Sequence, residues 1–310
     1  MSMFKKGRIA AGVVAVGAIV ALAGCASGDP TAPETDAAGG SGDAIVVGSF
    51  AFPESEILGE IYAQALTAQG FDVSTKFNIG PRQQTIPALQ DGSINLIPEY
   101  NGNLLAYYDT EFAERTTEDV DAALVDAVAA DDLVVYASAE AEDKDAYVVT
   151  SEFATANNLK AIGDLAAVQP FSLGANPQFA ELGYGIPGLA SVYGVTDVTF
   201  VPYEDYGGPD TVKALTDDTV QVADIYTTSP DLKAKDLVVL DDPENLIAAQ
   251  NVIPLLSSSI ASDELQKALD AISAKLTTDD LIDLRNRVEG DEKASASTAA
   301  KDWLTENGLI

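Results

Sequence analysis

Short apolar segments alternate with segments of helical periodicity along almost the whole chain after Ala44. The first pair is the strand-like run AIVVGS and the segment PESEILGEIYAQALTAQG, where apolar residues recur at helical spacing between Pro53 and Gly70. The same order continues in predicted strands over 72–78 and 94–100 and predicted helices over 83–90 and 118–130. Because strands that alternate with helices usually form sheets with helical crossovers, this order predicts an α/β fold with largely parallel sheets.

The alternation occurs twice, which predicts two lobes. The segment 133–150 contains two strand-like runs with a charged connection between them, and we interpret this connection as a crossing between lobes. The second series consists of FSLGA, a helix over 187–193, DVTFVPY, GPDTVKAL, VQVADIY and DLVVL. The chain then returns through AAQNVIPLLSS and ends in three amphipathic helices from about Ser262, which we expect to complete the first lobe. A cleft between such lobes faces the carboxyl ends of strands, where ligands bind in open α/β sheets.

Two stretches of the chain are alike. ALQDGSINLIPEY, over 88–100, matches ALTDDTVQVADIY, over 214–226, with Ala, Leu, Asp and Tyr in register. In each stretch a helix end precedes a buried strand, and a tyrosine follows; after Tyr100 we predict an Asn-Gly turn. Equivalent ligand-binding positions in the two lobes and a chance match of common α/β features are both open interpretations.

The first residues predict export. Three basic residues precede an apolar run over 9–22, which is shorter than the roughly 20 residues of a membrane-spanning helix. The run ends in LAGC, a bacterial lipobox, so we expect acylation of Cys25, the one cysteine of the chain. The next segment is rich in Gly, Ala, Ser, Pro and Asp and has no large apolar residue, which indicates a flexible tether. The folded part should therefore be extracytoplasmic and anchored to the membrane by lipid.

These boundaries divide the chain into four parts. The predicted domains are a lipoprotein signal peptide over 1–24, a tether over 25–43, lobe I over 44–140 and 250–310, and lobe II over 141–249.

Charge and composition exclude several classes of function. The chain has 17 basic and 49 acidic residues, for a net charge of −32, which argues against nucleic-acid binding and favours a cationic solute. A surface adapted to high salt is the alternative explanation. Histidine is absent, which removes the usual general base, the Ser-His-Asp and Cys-His triads and the commonest metal ligand. We expect no enzyme, no cofactor and no metal site.

Four segments carry a resemblance to a known family. They are GSFAFPESEILGEIYAQAL, LQDGSINLIPEYNGNLLAYY, NPQFAELGYGIPGLASVYG and VQVADIYTTSPDLKAKDLVVLDDPENLIAAQNVIPL. Together they resemble the glycine betaine/choline-binding proteins of osmoprotectant ABC transporters. The resemblance implies a two-lobed type II periplasmic-binding-protein fold that closes on a small quaternary amine inside a cage of aromatic side chains.

The family pattern matches some positions and departs at others. Phe52 matches the family's aromatic residue after the first strand, and Tyr100 matches the tyrosine of its Pro-Glu-Tyr motif. Phe50 stands where the family often has lysine, and 182–185 stands where it has Arg-Pro-Asp-Gly. The lost cations weaken the expectation of a carboxylate ligand, for which Arg82 is the compensating candidate.

A trimethylammonium group donates no hydrogen bonds, so ring faces are the groups that recognise it by cation–π attraction. We predict an aromatic cage of Phe52, Tyr100, Tyr184 and Tyr226, with Tyr147 and Tyr206 behind it. Further ligand-binding candidates are Arg82 in a Gly-Pro turn before a helix, and Gln250 and Asn251 where the chain crosses between lobes. Core packing of the rings and a hinge role for the two amides are the structural alternatives.

The sequence thus predicts the solute-binding component of an ABC importer, which delivers a quaternary-ammonium osmoprotectant to its permease. The expected partners are the small cationic or zwitterionic solute, the permease and, through the lipid, the membrane. One alternative is a binding protein for an amino acid or an ectoine-type solute, which would need carboxylate or carbonyl acceptors. A secreted hydrolase that depends on carboxylates is the alternative from another class.

Overall fold

A computed structural model describes residues 44–310 of the chain. The predicted signal peptide, the tether and Cys25 lie outside these described residues. Within them, no helix is both long enough and apolar enough to cross a membrane.

The strands form two five-stranded sheets of equivalent topology. The first sheet has the order β2-β1-β3-β10-β4 and contains β1 (Ile45–Gly48), β2 (Val73–Lys76), β3 (Leu96–Tyr100), β4 (Leu133–Val135) and β10 (Val252–Ser257). The second has the order β7-β6-β8-β5-β9 and contains β5 (Tyr147–Thr150), β6 (Phe171–Ala175), β7 (Val198–Pro202), β8 (Val222–Asp224) and β9 (Leu237–Val239).

The sheets are mixed, so the prediction of largely parallel sheets is only half right. β1 runs parallel to β2 and β3, and β6 runs parallel to β7 and β8. In contrast, β10 is antiparallel to β3 and β4, and β5 is antiparallel to β8 and β9. The reversed strand in each sheet is the one that follows a crossing from the other sheet. Sequence periodicity gives no information about the direction in which a strand runs.

The two similar sequence stretches occupy the same place in the two sheets. Leu96 of β3 is paired with Val47 of β1, and the aligned Val222 of β8 is paired with Leu173 of β6. Each of these strands lies between the central parallel strand and the reversed strand. The carboxyl ends of β3 and β8 are therefore equivalent positions.

The helices cover the sheets, and several of them begin at recognisable cap or proline positions. Pro53 opens the first helix, and Thr116, Thr150, Ser262, Thr277 and Ser295 each accept a backbone N–H at the start of another. The helices are α1 (Pro53–Ala68), α2 (Arg82–Gln90), α3 (Asn101–Tyr108), α4 (Thr117–Ala129), α5 (Ser151–Asn157), α6 (Ile186–Tyr193), α7 (Pro209–Thr216), α8 (Asp231–Ala234), α9 (Asp263–Ser273), α10 (Thr278–Glu289) and α11 (Ala296–Glu306). Short 3₁₀ segments lie at Ile162–Ala167, Pro177–Ala180 and Ser258–Ile260.

The Asn-Gly turn predicted after Tyr100 is wrong, because α3 begins directly at Asn101. Gly102 is needed there for close packing: a Cβ at this position would lie 2.2 Å from the carbonyl oxygen of Ala249. The glycine thus permits a helix start against the returning chain rather than a turn.

The C-terminal helices pack where the sequence predicted. α9, α10 and α11 all contact α1, and Leu269, Leu284 and Trp303 join the hydrophobic core beside the first sheet. Two smaller cores lie beside the second sheet. Ile282 of α10 belongs to one of these, so α10 contacts both halves of the fold.

The two crossing segments run side by side. Asp143 N–H donates to the Gln250 carbonyl at 3.1 Å, and Val252 N–H donates to the Ala141 carbonyl at 2.9 Å. The first crossing then continues into contact with β8, because Ile225 N–H donates to the Ala146 carbonyl at 3.1 Å. Residues 143–145 therefore lie between the sheets.

Candidate functional site

A cavity of about 950 Å³ lies between the two halves of the fold. Its wall on the first-sheet side comes from the loop after β1, the start of α2 and the end of β3. The second-sheet side contributes the loops after β7 and β8, while the crossing 143–145 and α10 complete the wall. Six aromatic side chains line it: Phe50, Phe52, Tyr100, Tyr184, Tyr206 and Tyr226.

Three of these rings stack on the first-sheet side. The centroids of Phe50 and Phe52 are 5.7 Å apart with an angle of 7° between the ring planes, and those of Phe52 and Tyr100 are 6.3 Å apart at 28°. Phe50 and Tyr100 are buried, whereas Phe52 is 38% exposed. Phe52 is thus the middle ring of the stack and the one most accessible from the cavity.

Tyr184 is fixed from behind by buried aromatic residues. Its ring packs edge-on against Phe179 at a centroid distance of 5.9 Å, and Phe179 packs edge-on against Tyr147 at 5.5 Å. The Tyr147 hydroxyl donates to the Tyr184 carbonyl oxygen at 2.7 Å. Tyr147 is fully buried, so it supports the cavity wall without lining it.

Glu54 contributes a buried carboxylate to the cavity. Its Oε1 accepts a hydrogen bond from the Tyr100 hydroxyl at 2.5 Å, while Oε2 is buried without a hydrogen-bond partner among the described residues. The nearest cationic atom is Nη1 of Arg285, 3.9 Å from Oε2. Burial, together with the nearby Asp143 carboxylate, raises the pKa of Glu54 to about 8.

Asp143 and Asp145 present further carboxylates on the crossing segment. Asp143 accepts from the Thr228 hydroxyl at 2.8 Å, and Asp145 accepts from the Tyr184 hydroxyl at 3.2 Å. Burial raises the pKa of both groups. Burial and the adjacent Asp145 also raise the pKa of Asp224, behind the wall, well above its usual value. We refer to Glu54, Asp143 and Asp145 as the acidic triad.

Each of the three cationic side chains in the lining already has a carboxylate partner in the part of the chain that the structure describes. Arg82 donates to Glu99 through Nε at 2.9 Å and Nη2 at 2.6 Å. Nζ of Lys144 lies 2.9 Å from Oε1 of Glu142. Arg285 donates to Glu289 at 3.2 and 3.1 Å and to the Thr228 hydroxyl at 2.9 Å. The cationic groups are thus neutralised locally, whereas the triad is bound mainly by hydroxyl groups.

The structure brings most of the sequence-predicted residues together. The cavity lining contains Phe52, Tyr100, Tyr184, Tyr226, Arg82 and Gln250. The guanidinium of Arg82, expected to hold a ligand carboxylate, lies 5.3 Å from the centroid of the Phe50 ring and donates to Glu99.

Asn251 is the exception, because it lies outside the lining. Its side-chain amide donates to the carbonyl oxygens of Ala139 and Glu140 at 2.9 and 3.2 Å, and its Oδ1 accepts from the Thr117 hydroxyl at 2.8 Å. These bonds use the whole amide group. Asn251 therefore fixes the crossing, which was the structural alternative for this residue.

Sequence reasoning missed the acidic triad and Arg285. In the sequence, Glu54 has the pattern of an ordinary acidic residue in the first turn of a helix, and Asp143 and Asp145 have the pattern of a solvated charged loop. The charged crossing EDKD between two strand-like runs was the available signal, since a crossing between lobes borders the cleft. Arg285 has no comparable signal, because it lies in the C-terminal part of the chain on a helix with many charges.

Comparison with known proteins adds a family to this geometry. Residues 43–306 match the family described as the substrate-binding domain of ABC-type glycine betaine transport systems. A glycine betaine-binding protein of Escherichia coli (strain K12), YehZ, is 25% identical over 280 residues, which cover 85% of this chain and 90% of that protein. Among the described residues, no group of three or more acidic or other metal-binding side chains is arranged to hold a metal ion.

Solved structures share the fold. A glycine betaine/carnitine/choline ABC transporter protein superposes with a TM-score of 0.78 at 21% identity, covering 86% of this chain and 99% of that one. A choline-binding protein of an ABC transporter, in complex with choline, gives a TM-score of 0.53 at 12% identity, covering 86% and 89%. The predicted α/β architecture with two lobes and a cleft is thereby confirmed.

Proposed function

The chain belongs to the family of substrate-binding domains of ABC-type glycine betaine transport systems, and on that premise we propose that it captures a quaternary-ammonium solute in the cavity between its sheets and delivers it to a membrane permease. The family consists of transport proteins, which supports the expectation of an extracytoplasmic protein without enzymatic activity. The proposal concerns the ligand, the residues that bind it and the delivery step.

The observation that carries the proposal is the set of aromatic rings contributed from both sides of one cavity. Phe52 and Tyr100 come from the first-sheet side, and Tyr184 and Tyr226 come from the second. Each ring face supplies roughly 0.5 to 2 kcal/mol of attraction to a desolvated cation. Rings from both sides of the cavity suit the recognition of a small cation, and this arrangement supports binding over catalysis.

Closure follows from the distribution of these residues. A solute that touches both lobes stabilises only the conformation in which both contact it, and the equilibrium shifts by its differential affinity for that state. We assign lobe I to 44–140 and 250–310 and lobe II to 141–249, with the paired crossings as the hinge. The permease would then recognise the closed, loaded form.

Isothermal titration calorimetry with choline, glycine betaine, carnitine, ectoine and common amino acids tests the ligand class. We expect a quaternary amine to bind, and we expect ectoine and the amino acids to bind at least tenfold more weakly. Tyr226→Ala should weaken binding by tenfold or more, or roughly 1.4 kcal/mol. Tyr107→Ala is the matched control, because this ring is 38% exposed and lies outside the cavity lining.

Two results would contradict this proposal. One is tight binding of an ectoine or amino acid with no response to quaternary amines. The other is an unchanged affinity in the Tyr226→Ala variant.

We also propose that Cys25 carries the lipid anchor predicted from the LAGC motif. Cys25→Ala should yield a precursor that is not acylated, since the thiol is the attachment site. Metabolic labelling with a fatty acid and detergent phase partitioning measure this directly. Labelling equal to that of the unaltered protein would rule out Cys25 as the anchor, and Cys25→Ser serves as the conservative companion variant.

A further inference from the structure

From the charge arrangement of the cavity we infer that the acidic triad makes the site selective for quaternary ammonium ions of the choline type, which lack a carboxylate, over zwitterions of the betaine type. This inference rests on the proposed function and specifies its ligand. Choline and glycine betaine share the trimethylammonium group and differ in a hydroxyl group against a carboxylate. The distinction therefore depends on what the site offers to the second group.

The lining is unbalanced in charge. Among residues 44–310 it contains the carboxylates Glu54, Asp143, Asp145, Asp205, Asp231 and Glu289 and the cations Arg82, Lys144 and Arg285. Asp205 is used as a helix cap, accepting from the N–H groups of Asp210 and Thr211 at 2.6 and 3.1 Å. Glu289 is bound to Arg285. The triad carboxylates, like Asp231, have no cation within hydrogen-bond distance in the described chain, and Nη1 of Arg285 lies 3.9 Å from Glu54 Oε2.

A ligand carboxylate would find poor partners here. Arg82, Lys144 and Arg285 are bound to Glu99, Glu142 and Glu289 respectively. A bound trimethylammonium group favours the ionised form of the triad, so a zwitterion would place its carboxylate near like charges without a free cation to compensate, and like charges in a partly desolvated site repel strongly. A hydroxyl group has the opposite property, since it donates a hydrogen bond and ionised carboxylates only accept.

The triad is also positioned for a cation held by the rings. Glu54 is bonded to the hydroxyl of Tyr100, and Asp145 is bonded to the hydroxyl of Tyr184. Two cage tyrosines from opposite sides of the cavity are thus each coupled to a triad carboxylate. The buried Oε2 of Glu54, which lacks a hydrogen-bond partner in the described chain, gains a favourable interaction when a positive charge enters.

The test is a calorimetric comparison of choline, glycine betaine and 3,3-dimethylbutan-1-ol, the uncharged carbon analogue of choline, on the full-length purified protein. We expect choline to bind at least tenfold more tightly than either of the others. Asp145→Asn and Glu54→Gln should each weaken choline binding and reduce the preference over glycine betaine. Asp126→Asn, which makes the same chemical change at an exposed position on α4, should change neither the choline affinity nor the preference.

The outcomes separate the inference from the proposed function. Glycine betaine binding as tightly as choline, or tighter, would overturn the selectivity and leave the proposed function in place. An equal loss of affinity for both ligands in the Asp145→Asn and Glu54→Gln variants, with folding of the variants verified by circular dichroism, would also overturn the selectivity. Binding of none of choline, glycine betaine and carnitine would overturn both claims, whereas binding of carnitine alone, a zwitterion, would overturn the selectivity and leave the proposed function in place. A calcium titration that shows tight binding which choline cannot displace would make the triad a metal site and overturn the inference.

Discussion

The carboxyl group of Glu54 lies in the cavity wall between the Tyr100 hydroxyl and the Arg285 guanidinium, with Asp143 nearby. Burial is the main reason that its pKa is raised to about 8, because the charged form loses hydration. The group therefore changes charge near neutral pH. A bound cation favours the ionised form, so cation binding should release a proton.

This coupling predicts a rise in choline affinity with pH. Below about pH 8 the ligand must displace the Glu54 proton, so affinity should increase by at most about tenfold per pH unit if one proton is released. Calorimetry between pH 6 and pH 9 in buffers of different ionisation enthalpy measures both the affinity and the proton release. Glu54→Gln should have weaker binding and a flatter pH profile, since Asp143 and Asp145 still titrate. A wild-type affinity that falls as pH rises would contradict the assignment.

The same shift predicts the pH dependence of stability without ligand. An acid whose pKa is higher in the folded state than in the unfolded state holds its proton more tightly when folded. Its contribution to stability is therefore complete below about pH 4.5 and is lost as pH rises to about 8. Urea denaturation across this range should show a smaller decrease in the free energy of unfolding for Glu54→Gln than for the unaltered protein.

At the scale of elements, the paired crossings depend on Asn251. It is 5% exposed and connects the crossing to Ala139, Glu140 and Thr117 through its side chain. Its backbone N–H also donates to Asn101 Oδ1 at 2.8 Å at the start of α3. A buried amide with these bonds supports structure rather than ligand contact.

Asn251→Ala should therefore destabilise the fold by roughly 2 to 4 kcal/mol, because several buried polar groups lose their partners. Urea denaturation provides the free energy of unfolding. Gln250→Ala is the matched control: Gln250 is its half-buried neighbour that lines the cavity and accepts one bond from Asn103 N–H at 2.9 Å. That variant should lose affinity with little change in stability. The reverse pattern, with Asn251→Ala stable but defective in binding, would restore Asn251 to the site.

Sequence periodicity predicted the elements better than it predicted their directions. α1 and α4 follow the predicted spans within a few residues, and the three C-terminal helices begin at Ser262 as predicted, because apolar spacing and caps are local signals. The reversed directions of β5 and β10 and the helix α3 were missed. Their form depends on contacts with distant chain, such as the approach of Gly102 to Ala249, which a local pattern does not contain.

The candidate site was predictable to a similar extent. Rings that follow strands can be assigned to a cleft from the order of elements, so Tyr100 and Tyr226 were found. Glu54, Asp143 and Arg285 were not, because their proximity arises from folding three separate parts of the chain around one cavity. The mutual neutralisation of Arg82 and Glu99 is likewise a tertiary property.

At the scale of the whole molecule, the central claim is that rings from both lobes enclose one cation. The net charge of −32 supplies a field that attracts such a solute, but it has no bearing on where the solute binds. α10 and the paired crossings contact both halves of the fold beside the cavity. The position of the bound solute is therefore the property that the account specifies most sharply.

The most direct measurement is a crystal structure of the protein with choline or glycine betaine, whichever binds more tightly. We predict that the quaternary nitrogen lies within about 6 Å of the ring centroids of Tyr100, Tyr184 and Tyr226, with rings from both sheets in contact with its methyl groups. A ligand bound outside the cavity between the sheets, or in contact with only one lobe, would contradict the account.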